Sequence, residues 1–184
     1  ENTDQNYVIT AADTDDWLIG SNTNDKFEAA NGDDVIYAGD GDDEVSAGAG
    51  DDLIIGGSGL GNDTYNGGEG VDTIKYTSAL AGIIVDLSDG SARSIAENDP
   101  AAIGNDVLSG IENITAGDFD DILKGSAANN ILIGGAGDDN IAGGAGNDVL
   151  IGNSGDDDLT INEGADIVRA GSGADTISLS SSDT

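Results

Sequence analysis

A nine-residue repeat constrains this chain more than any other feature. An aspartate followed two places later by a large apolar residue recurs every nine residues, in seven units and then, after an interruption, in seven more. In the most regular units, such as Gly134-Gly135-Ala136-Gly137, glycine occupies the first, second and fourth positions. The unit is therefore G-G-x-G-x-D-x-U-x, with U a large apolar residue. The pairs are Asp16/Leu18, Asp25/Phe27, Asp34/Ile36, Asp43/Val45, Asp52/Ile54, Asp63/Tyr65, Asp72/Ile74, Asp121/Leu123, Asn130/Leu132, Asp139/Ile141, Asp148/Leu150, Asp157/Leu159, Asp166/Val168 and Asp175/Ile177.

The two halves of the unit predict different backbone conformations. Glycine takes positive φ without steric cost, so the glycine-rich half predicts a tight turn and close approach of neighbouring chains. The x-U-x half predicts a three-residue strand whose central side chain points inward. Two units then make one coil, with the U side chains stacked between two thin sheets. The expected fold is all-β, a right-handed parallel β-roll.

The stacking of coils predicts where the aspartates meet. Coils stack at a strand spacing of about 4.8 Å, so turns two units apart lie on the same edge. Sixth-position carboxylates and turn carbonyls would then form an all-oxygen cage, which suits Ca²⁺ better than the stricter octahedral Mg²⁺. Seven consecutive turns allow five such pairings, and the two blocks together predict about ten calcium ions.

The charge of the chain supports bound cations. Thirty-seven carboxylates stand against five basic residues, a formal net charge of −32. Ten divalent ions would reduce this charge to about −12, and without them repulsion across a thin core predicts a largely disordered chain. Scattered lysine and arginine exclude nucleic acid as a partner. The absence of cysteine and histidine argues against disulfides and zinc, and no apolar run is long enough for membrane insertion.

The middle of the chain breaks the period. We expect a flank at 1–10, a first block at 11–75, an insert at 76–115 that continues the coil with longer turns, a second block at 116–178 and a flank at 179–184. A two-residue insertion, Leu60-Gly61, interrupts the first block, and Trp17 and Phe27 are interpreted as a cap over its open end. Within the insert the predicted segments are a strand at Ile83-Ile84-Val85-Asp86-Leu87, a turn at Ser88-Asp89-Gly90-Ser91, a loop at Asn98-Asp99-Pro100 and strands at Val107-Leu108 and Ile111-Glu112-Asn113-Ile114.

Residues 11–75 and 116–178 resemble the repeats of the RTX family, bacterial proteins exported by type I secretion whose nonapeptide units form calcium-loaded parallel β-rolls. The middle is similar to the region before the last roll in serralysin-like proteases, at Asp72-Thr73-Ile74-Lys75-Tyr76, Ile84-Val85-Asp86-Leu87 and Leu108-Ser109-Gly110-Ile111-Glu112-Asn113-Ile114. The resemblance implies an extracellular or cell-surface protein that folds in calcium after export, with the type I secretion machinery as a partner of the parent protein.

The resemblance also implies a ligand set. The sixth-position ligands would be Asp25, Asp34, Asp43, Asp52, Asp63, Asp72, Asp121, Asp139, Asp148, Asp157, Asp166 and Asp175. Carbonyl ligands would come from the second and fourth positions, Gly32, Gly39, Gly41, Gly48, Gly50, Gly57, Gly59, Gly68, Gly70, Gly135, Gly137, Gly144, Gly146, Gly155, Gly171 and Gly173.

Catalysis is not expected from these residues. General acid–base chemistry needs two carboxylates in different environments, whereas repetition gives the aspartates the same one. No histidine is present for a zinc protease motif, and no G-x-S-x-G elbow occurs. The preferred interpretation is a calcium-binding module of a secreted or surface protein, of adhesin or surface-layer type. The alternative is an accessory C-terminal domain of a secreted protease, lipase or polysaccharide epimerase. Self-association and binding to cell-surface polysaccharide stay open.

Overall fold

The structure, a computed structural model, describes residues 6–57, 61–95 and 103–180. These residues form nineteen short strands, and they contain no helix that could cross a membrane. The strands are β1 Val8–Thr10, β2 Trp17–Ile19, β3 Lys26–Glu28, β4 Val35–Tyr37, β5 Glu44–Ala49, β6 Leu53–Ile55, β7 Thr64–Glu69, β8 Thr73–Lys75, β9 Ile83–Asp86, β10 Ser91–Ser94, β11 Asn105–Ser109, β12 Asn113–Thr115, β13 Ile122–Lys124, β14 Ile131–Ala136, β15 Asn140–Ala142, β16 Val149–Ser154, β17 Asp158–Ile161, β18 Ile167–Ser172 and β19 Thr176–Leu179.

Consecutive repeat units alternate between two sheets. One has eleven strands in the order β1-β3-β5-β7-β11-β10-β9-β13-β15-β17-β19, and the other has eight in the order β18-β16-β14-β12-β8-β6-β4-β2. Within each block, a repeat strand pairs in parallel with the strand two units along, so that Ile36 lies between Leu18 and Ile54. The chain is therefore a β-solenoid of about nine turns, and the predicted parallel β-roll is confirmed.

The core is a ladder of single apolar side chains. The U residues from Phe27 to Ile74 and from Leu123 to Leu159 are buried, each at most 1% exposed. Alanines at the first position, Ala29, Ala38 and Ala47, fill the space beside them. Ile177 in the final unit is 53% exposed, since it lies at the end of the stack. Each repeat strand away from the ends of the stack thus contributes one large side chain to a thin core.

Glycine at the second position follows from the distance between coils. Gly135 has φ +129°, and a Cβ built on it would lie 2.0 Å from the carbonyl oxygen of Gly117 in the preceding coil. Any larger residue would push the coils apart and strain the backbone. At Gly117, also a second-position residue, a Cβ would meet nothing closer than 3.5 Å. Glycine is therefore favoured where one parallel turn lies directly on another, although Asn153 takes φ +79° at such a position, between Gly135 and Gly171.

The insert contains an antiparallel hairpin. β11 and β12 do continue the stack, with Leu108 in register with Tyr65 and Ile114 with Ile74. The expected longer turns did not include one element, the strand β10, which runs antiparallel to both β9 and β11. The turn before β10 includes Gly90 at φ +72°, and Ile83 and Val85 place the hairpin on the same core. The predicted loop at Asn98-Asp99-Pro100 lies outside the described residues.

The insertion in the first block shifts the fourth position of its unit. A Cβ on Gly61 would lie 2.0 Å from the carbonyl oxygen of Gly41, the fourth-position residue one coil earlier. Gly61 therefore occupies the place that the sequence assigned to Gly59, and Gly59 itself lies outside the described residues. The ladder tolerates the extra residues because Asp43 and Asp63 still pair, with a separation of twenty residues instead of eighteen.

The two outer faces differ in chemistry. Outward side chains of the eleven-stranded sheet include Glu28, Glu44 and Asp158, all exposed. The eight-stranded sheet presents no carboxylate. Its outward residues are Trp17, Ile19, Val35, Tyr37, Leu53, Ile55, Thr73, Lys75, Asn113, Thr115, Ile131, Ile133, Val149, Ile151, Ile167 and Arg169. We call this surface the apolar face.

The aromatic residues near the start do not form the expected cap. Trp17 is 69% exposed on the apolar face, where its ring stacks on Tyr37 with 6.0 Å between centroids. Phe27 is fully buried as a U residue. The strand period explains the difference, because the residue before U points outward and the U residue points inward.

Candidate calcium ladder

The sixth-position aspartates form a ladder along each edge of the solenoid. The backbone N–H of Asp34 donates to Oδ1 of Asp52 at 2.8 Å, and that of Asp139 donates to Oδ1 of Asp157 at 2.9 Å. The same bond, from one unit to the aspartate two units later, recurs throughout both blocks. One carboxylate oxygen is thereby fixed against the backbone of the neighbouring coil. The other oxygen of each carboxylate points into the turn.

That second oxygen is buried and has no hydrogen-bond partner in most of the repeats. A buried carboxylate oxygen without a partner is costly, and native proteins rarely leave one in this state. A repeated set of such oxygens is the donor type that a hard cation such as Ca²⁺ prefers. Among the described residues, these are the Oδ2 atoms of Asp34, Asp43, Asp52, Asp72, Asp139, Asp148, Asp157 and Asp166.

The first-position glycine leaves room for this oxygen. A Cβ built on Gly134 would lie 2.0 Å from Oδ2 of Asp139, and one on Gly152 would lie 2.1 Å from Oδ2 of Asp157. Both glycines begin the unit whose aspartate they face. In these glycine-led units a side chain at the first position would occupy the space beside the unpartnered oxygen. The units of Asp34, Asp43 and Asp52 begin with alanine and also leave Oδ2 without a partner.

Backbone carbonyls of the turns lie next to these carboxylates. Second-position carbonyls accept one bond from the coil above, as when Ala136 N–H donates to the oxygen of Gly117 at 2.9 Å, and a carbonyl oxygen keeps a second lone pair. No three acidic side chains cluster in the described ranges, so carbonyls must supply most ligands of any ion. Of the glycines assigned to this role, fourteen have positive φ: Gly32, Gly39, Gly41, Gly48, Gly50, Gly68, Gly70, Gly135, Gly137, Gly144, Gly146, Gly155, Gly171 and Gly173.

Burial raises the pKa of the ladder carboxylates. Desolvation, with added repulsion from neighbouring carboxylates, raises the pKa of Asp43 and of Asp139 to about 7. The same causes raise the pKa of Asp72 to about 6. A carboxylate with this pKa resists ionisation in the metal-free protein, and a bound cation would reverse the preference. The ladder therefore couples cation binding to proton release.

A second ladder at the fifth position was not predicted. Asp33 Oδ1 accepts the backbone N–H of Asp51 at 2.9 Å, and Asp138 Oδ1 accepts that of Asp156 at 2.8 Å. These bonds run in the opposite direction to the sixth-position bonds. The signal was present in the sequence, since eleven of the fourteen fifth positions are Asp or Asn. These exposed acids orient the turns by hydrogen bonding and add to the negative charge around the sites.

Several assigned ligands differ from the rest of the ladder. Asp25 Oδ2 accepts bonds from the N–H and hydroxyl of Ser21 at 2.6 and 2.8 Å, and Asp121 Oδ2 accepts the N–H of Gly117 at 3.2 Å. Asp63 Oδ2 accepts a bond from a tyrosine hydroxyl. Asp175 lies in the last coil, where its Oδ1 accepts the N–H of Asp157 at 3.1 Å. At Asp25, Asp63 and Asp121 a protein group donates to the second oxygen, which is unpartnered in the other units. Asp175 differs because it lies at the end of the stack.

An acidic β-solenoid with unpartnered carboxylate oxygens repeated along its turns belongs to the class of cation-binding β-rolls. The sequence profile of the RTX calcium-binding nonapeptide repeat matches residues 10–45, 28–60, 38–74, 108–141, 115–150, 133–167 and 160–183. These matches cover more than half of the chain, so the protein belongs to the RTX calcium-binding repeat family, as its repeats suggested. A comparison with curated proteins found no match.

Proposed function

We propose that this chain is the calcium-binding module of a secreted or cell-surface bacterial protein, of adhesin or surface-layer type, which folds on binding calcium after type I export. The observation that carries the proposal is the set of eight buried Oδ2 atoms without a partner. Family membership supports the location, because RTX repeats occur in secreted bacterial proteins. The module would be structural and would contribute no catalytic group.

Calcium concentration would decide the state of the chain. In the cytosol, where calcium is scarce, unneutralised carboxylates favour the unfolded chain that a secretion channel requires. Outside the cell, cations would enter the turns as the coils stack, so that binding energy becomes folding energy. The difference in calcium concentration alone would then keep the chain unfolded during export and fold it outside the cell.

The structure supports fewer ions than the pairing of turns suggested. We propose one calcium for each unpartnered Oδ2, and therefore up to eight in the described part of the chain. The earlier expectation of about ten counted every turn pair as equal. The lower number of ions follows mainly from three carboxylates whose second oxygens already accept hydrogen bonds from protein groups, those of Asp25, Asp63 and Asp121.

Removal of one ladder carboxylate tests the assignment. We expect Asp148→Asn to lose at least one bound calcium and to lower the calcium affinity of the neighbouring turns about tenfold or more, with local loss of order, since repeats couple chiefly to their neighbours. Isothermal titration calorimetry would count the ions. Asp158→Asn is the matched control, because Asp158 is exposed on the outer sheet face and its removal changes net charge equally. Equal stoichiometry in the two variants would refute Asp148 as a ligand.

The alternative is an accessory domain of a secreted enzyme. A catalytic domain on the same polypeptide would favour a protease, lipase or polysaccharide epimerase as the parent protein. The calcium chemistry proposed above is the same in either case, because it depends only on the repeats. Binding to a cell-surface polysaccharide also stays a prediction.

A second function, self-association through the apolar face, has a specific observation in its favour. Two copies with a net charge of −32 repel at most approaches, but none of the sixteen outward side chains of this face is acidic. Trp17, Ile19, Ile131 and Ile167 on this face are 69%, 71%, 42% and 52% exposed. Paired faces would bury these residues at the place where repulsion is least.

Sedimentation velocity in calcium would test the pairing. We expect the wild-type chain to dimerise with increasing concentration and Ile131→Lys to remain monomeric, because a desolvated lysine opposes burial of the face. Asn140→Lys on the eleven-stranded sheet is the control and should dimerise like the wild type. A wild-type chain that stays monomeric at high micromolar concentration would rule out this contact.

A further inference from the structure

Two successive sixth-position aspartates in the middle of the stack do not leave an oxygen unpartnered. Asp63 and Asp106 continue the ladder, with Asp63 N–H donating to Oδ1 of Asp106 at 3.1 Å, and both residues are buried. Their second oxygens, however, accept hydroxyl donors. Tyr65 O–H donates to Asp63 Oδ2 at 2.8 Å, and Tyr76 O–H donates to Asp106 Oδ2 at 2.7 Å.

The sequence places both tyrosines where other units carry smaller residues. Tyr65 is a U residue, fully buried, in a position that is otherwise Leu, Ile, Val or Phe. Tyr76 takes the place of a first-position residue, since its N–H donates to Thr115 one coil later, just as the N–H of Gly56 donates to Lys75. A Cβ on Gly56 would lie 2.8 Å from Cε1 of Tyr76. Glycine at position 56 therefore makes room for the ring.

The topology of the sheet explains why the two tyrosine–aspartate hydrogen bonds occur at this point of the stack. The coil that carries Asp106 ends in β11, and the next strand of that sheet is the antiparallel β10. Among the residues that the structure describes, no parallel turn stacks beyond Asp106, and none of them supplies a second set of turn carbonyls to a cation there. The ladder resumes only beyond the hairpin, where Ile83 N–H donates to Oδ1 of Asp121. The tyrosine hydroxyls provide locally the partner that a further turn would otherwise bring.

We propose that Tyr65 and Tyr76 replace calcium at Asp63 and Asp106. Gly56, Asp63, Tyr65, Tyr76 and Asp106 form a tyrosine joint that completes the ladder without metal. The inference rests on the calcium binding proposed above. The joint divides the calcium sites beside the eleven-stranded sheet into two groups. One group lies before the joint, at Asp43, and the other lies after the hairpin, at Asp139 and Asp157. Asp63, expected from the sequence to bind calcium, would instead hold the two blocks together.

Calcium stoichiometry of three variants tests the joint. We expect Asp63→Asn and Asp106→Asn to bind as many calcium ions as the wild type, whereas Asp148→Asn binds fewer; circular dichroism would confirm that each variant is folded. A loss of calcium in Asp63→Asn or Asp106→Asn overturns the joint. If Asp148→Asn also kept the full number, the ladder assignment would fall, and the replacement of calcium at the joint would fall with it. A wild-type chain that bound no calcium would overturn both.

The tyrosine hydroxyl gives a readout that does not depend on folding of the aspartate variants. Tyr65→Phe and Tyr76→Phe keep the ring and leave Oδ2 without a donor, so each should melt about 5 °C lower than the wild type in saturating calcium. Further calcium should not restore the loss, because no cation site is completed there. Tyr37→Phe, on the exposed apolar face, is the control and should melt like the wild type. Unchanged melting of both core variants would refute the role of the hydroxyls.

Discussion

Chelation of calcium at neutral pH is expected to convert this protein from a β-solenoid to a largely unfolded chain. The physical reason is the balance between a thin core and a dense charge. Most repeat strands contribute a single large buried side chain, while 37 carboxylates are set against five basic residues. Such a core offsets little more than the entropy of ordering the chain, so the loss of the cations leaves repulsion unopposed.

Far-UV circular dichroism during titration with CaCl₂, after removal of metal, would follow this transition. We expect a cooperative change from coil to β structure with calcium, and little change with MgCl₂ at the same ionic strength, because turn carbonyls offer an irregular oxygen cage rather than an octahedron. The magnesium series also controls for general screening of charge. A folded spectrum in excess chelator at neutral pH would mean that the core suffices alone, and the role of the aspartates would have to be abandoned.

The repeat was enough to predict the regular part of the fold. Period nine with one inward residue determines the parallel register, as the pairing of Ile36 with Leu18 and Ile54 shows. The antiparallel β10 was beyond the same reasoning, because Ser91–Ser94 carries no apolar alternation that separates a strand from a turn. The period predicts a structure only where the period holds.

The candidate site was predicted in outline and missed in detail. Position six identifies the aspartates, but their role depends on what else reaches the second oxygen. Asp25 and Asp34 both follow units without a leading glycine pair, yet Ser21 donates to Asp25 and no side chain or backbone group donates to Asp34 Oδ2. Tyr76 lies thirty residues from Asp106, a contact that no local pattern reveals. Contacts with residues distant in the fold, rather than how closely a unit matches the motif, therefore determine which ladder aspartates keep an unpartnered oxygen.

The fifth position of the repeat, written as x in the motif, has a clear preference for Asp or Asn. Val71, Ala165 and Ala174 are the fifth-position residues that are neither Asp nor Asn. Ala165 and Ala174 belong to the last two repeat units, where no described turn lies above to donate an N–H. Val71 precedes Asp72, whose N–H donates to a carboxylate oxygen of Glu112 at the step where the stack passes into the insert. A polar fifth residue thus marks units that continue into another regular turn, which the sequence alone could have indicated.

Acidification is expected to restore the fold of the calcium-free chain, opposite to the usual effect of acid on proteins. Burial raises the folded-state pKa of Asp43, Asp106 and Asp139 to about 7, and that of Asp72 and Asp121 to about 6. A carboxylate whose pKa is higher in the folded state stabilises the fold while it is protonated. That contribution is complete below its unfolded pKa of about 4 and is lost as the pH rises through 6 to 7.

Far-UV circular dichroism of the metal-free chain at pH 5 and pH 8 would measure the effect, because the folded fraction at each pH gives the free energy of unfolding. We expect the free energy of unfolding to be larger at pH 5, by on the order of 3 kcal/mol or more, because several buried carboxylates each contribute. Asp139→Asn removes one of these groups and should flatten the dependence, whereas Asp158→Asn, exposed on the outer face, should leave it nearly unchanged. In saturating calcium the order should reverse, since protons then compete with the cation for the same oxygens. If the metal-free chain is less stable at pH 5 than at pH 8, then ionised ladder carboxylates do not destabilise the folded chain, and this prediction is wrong.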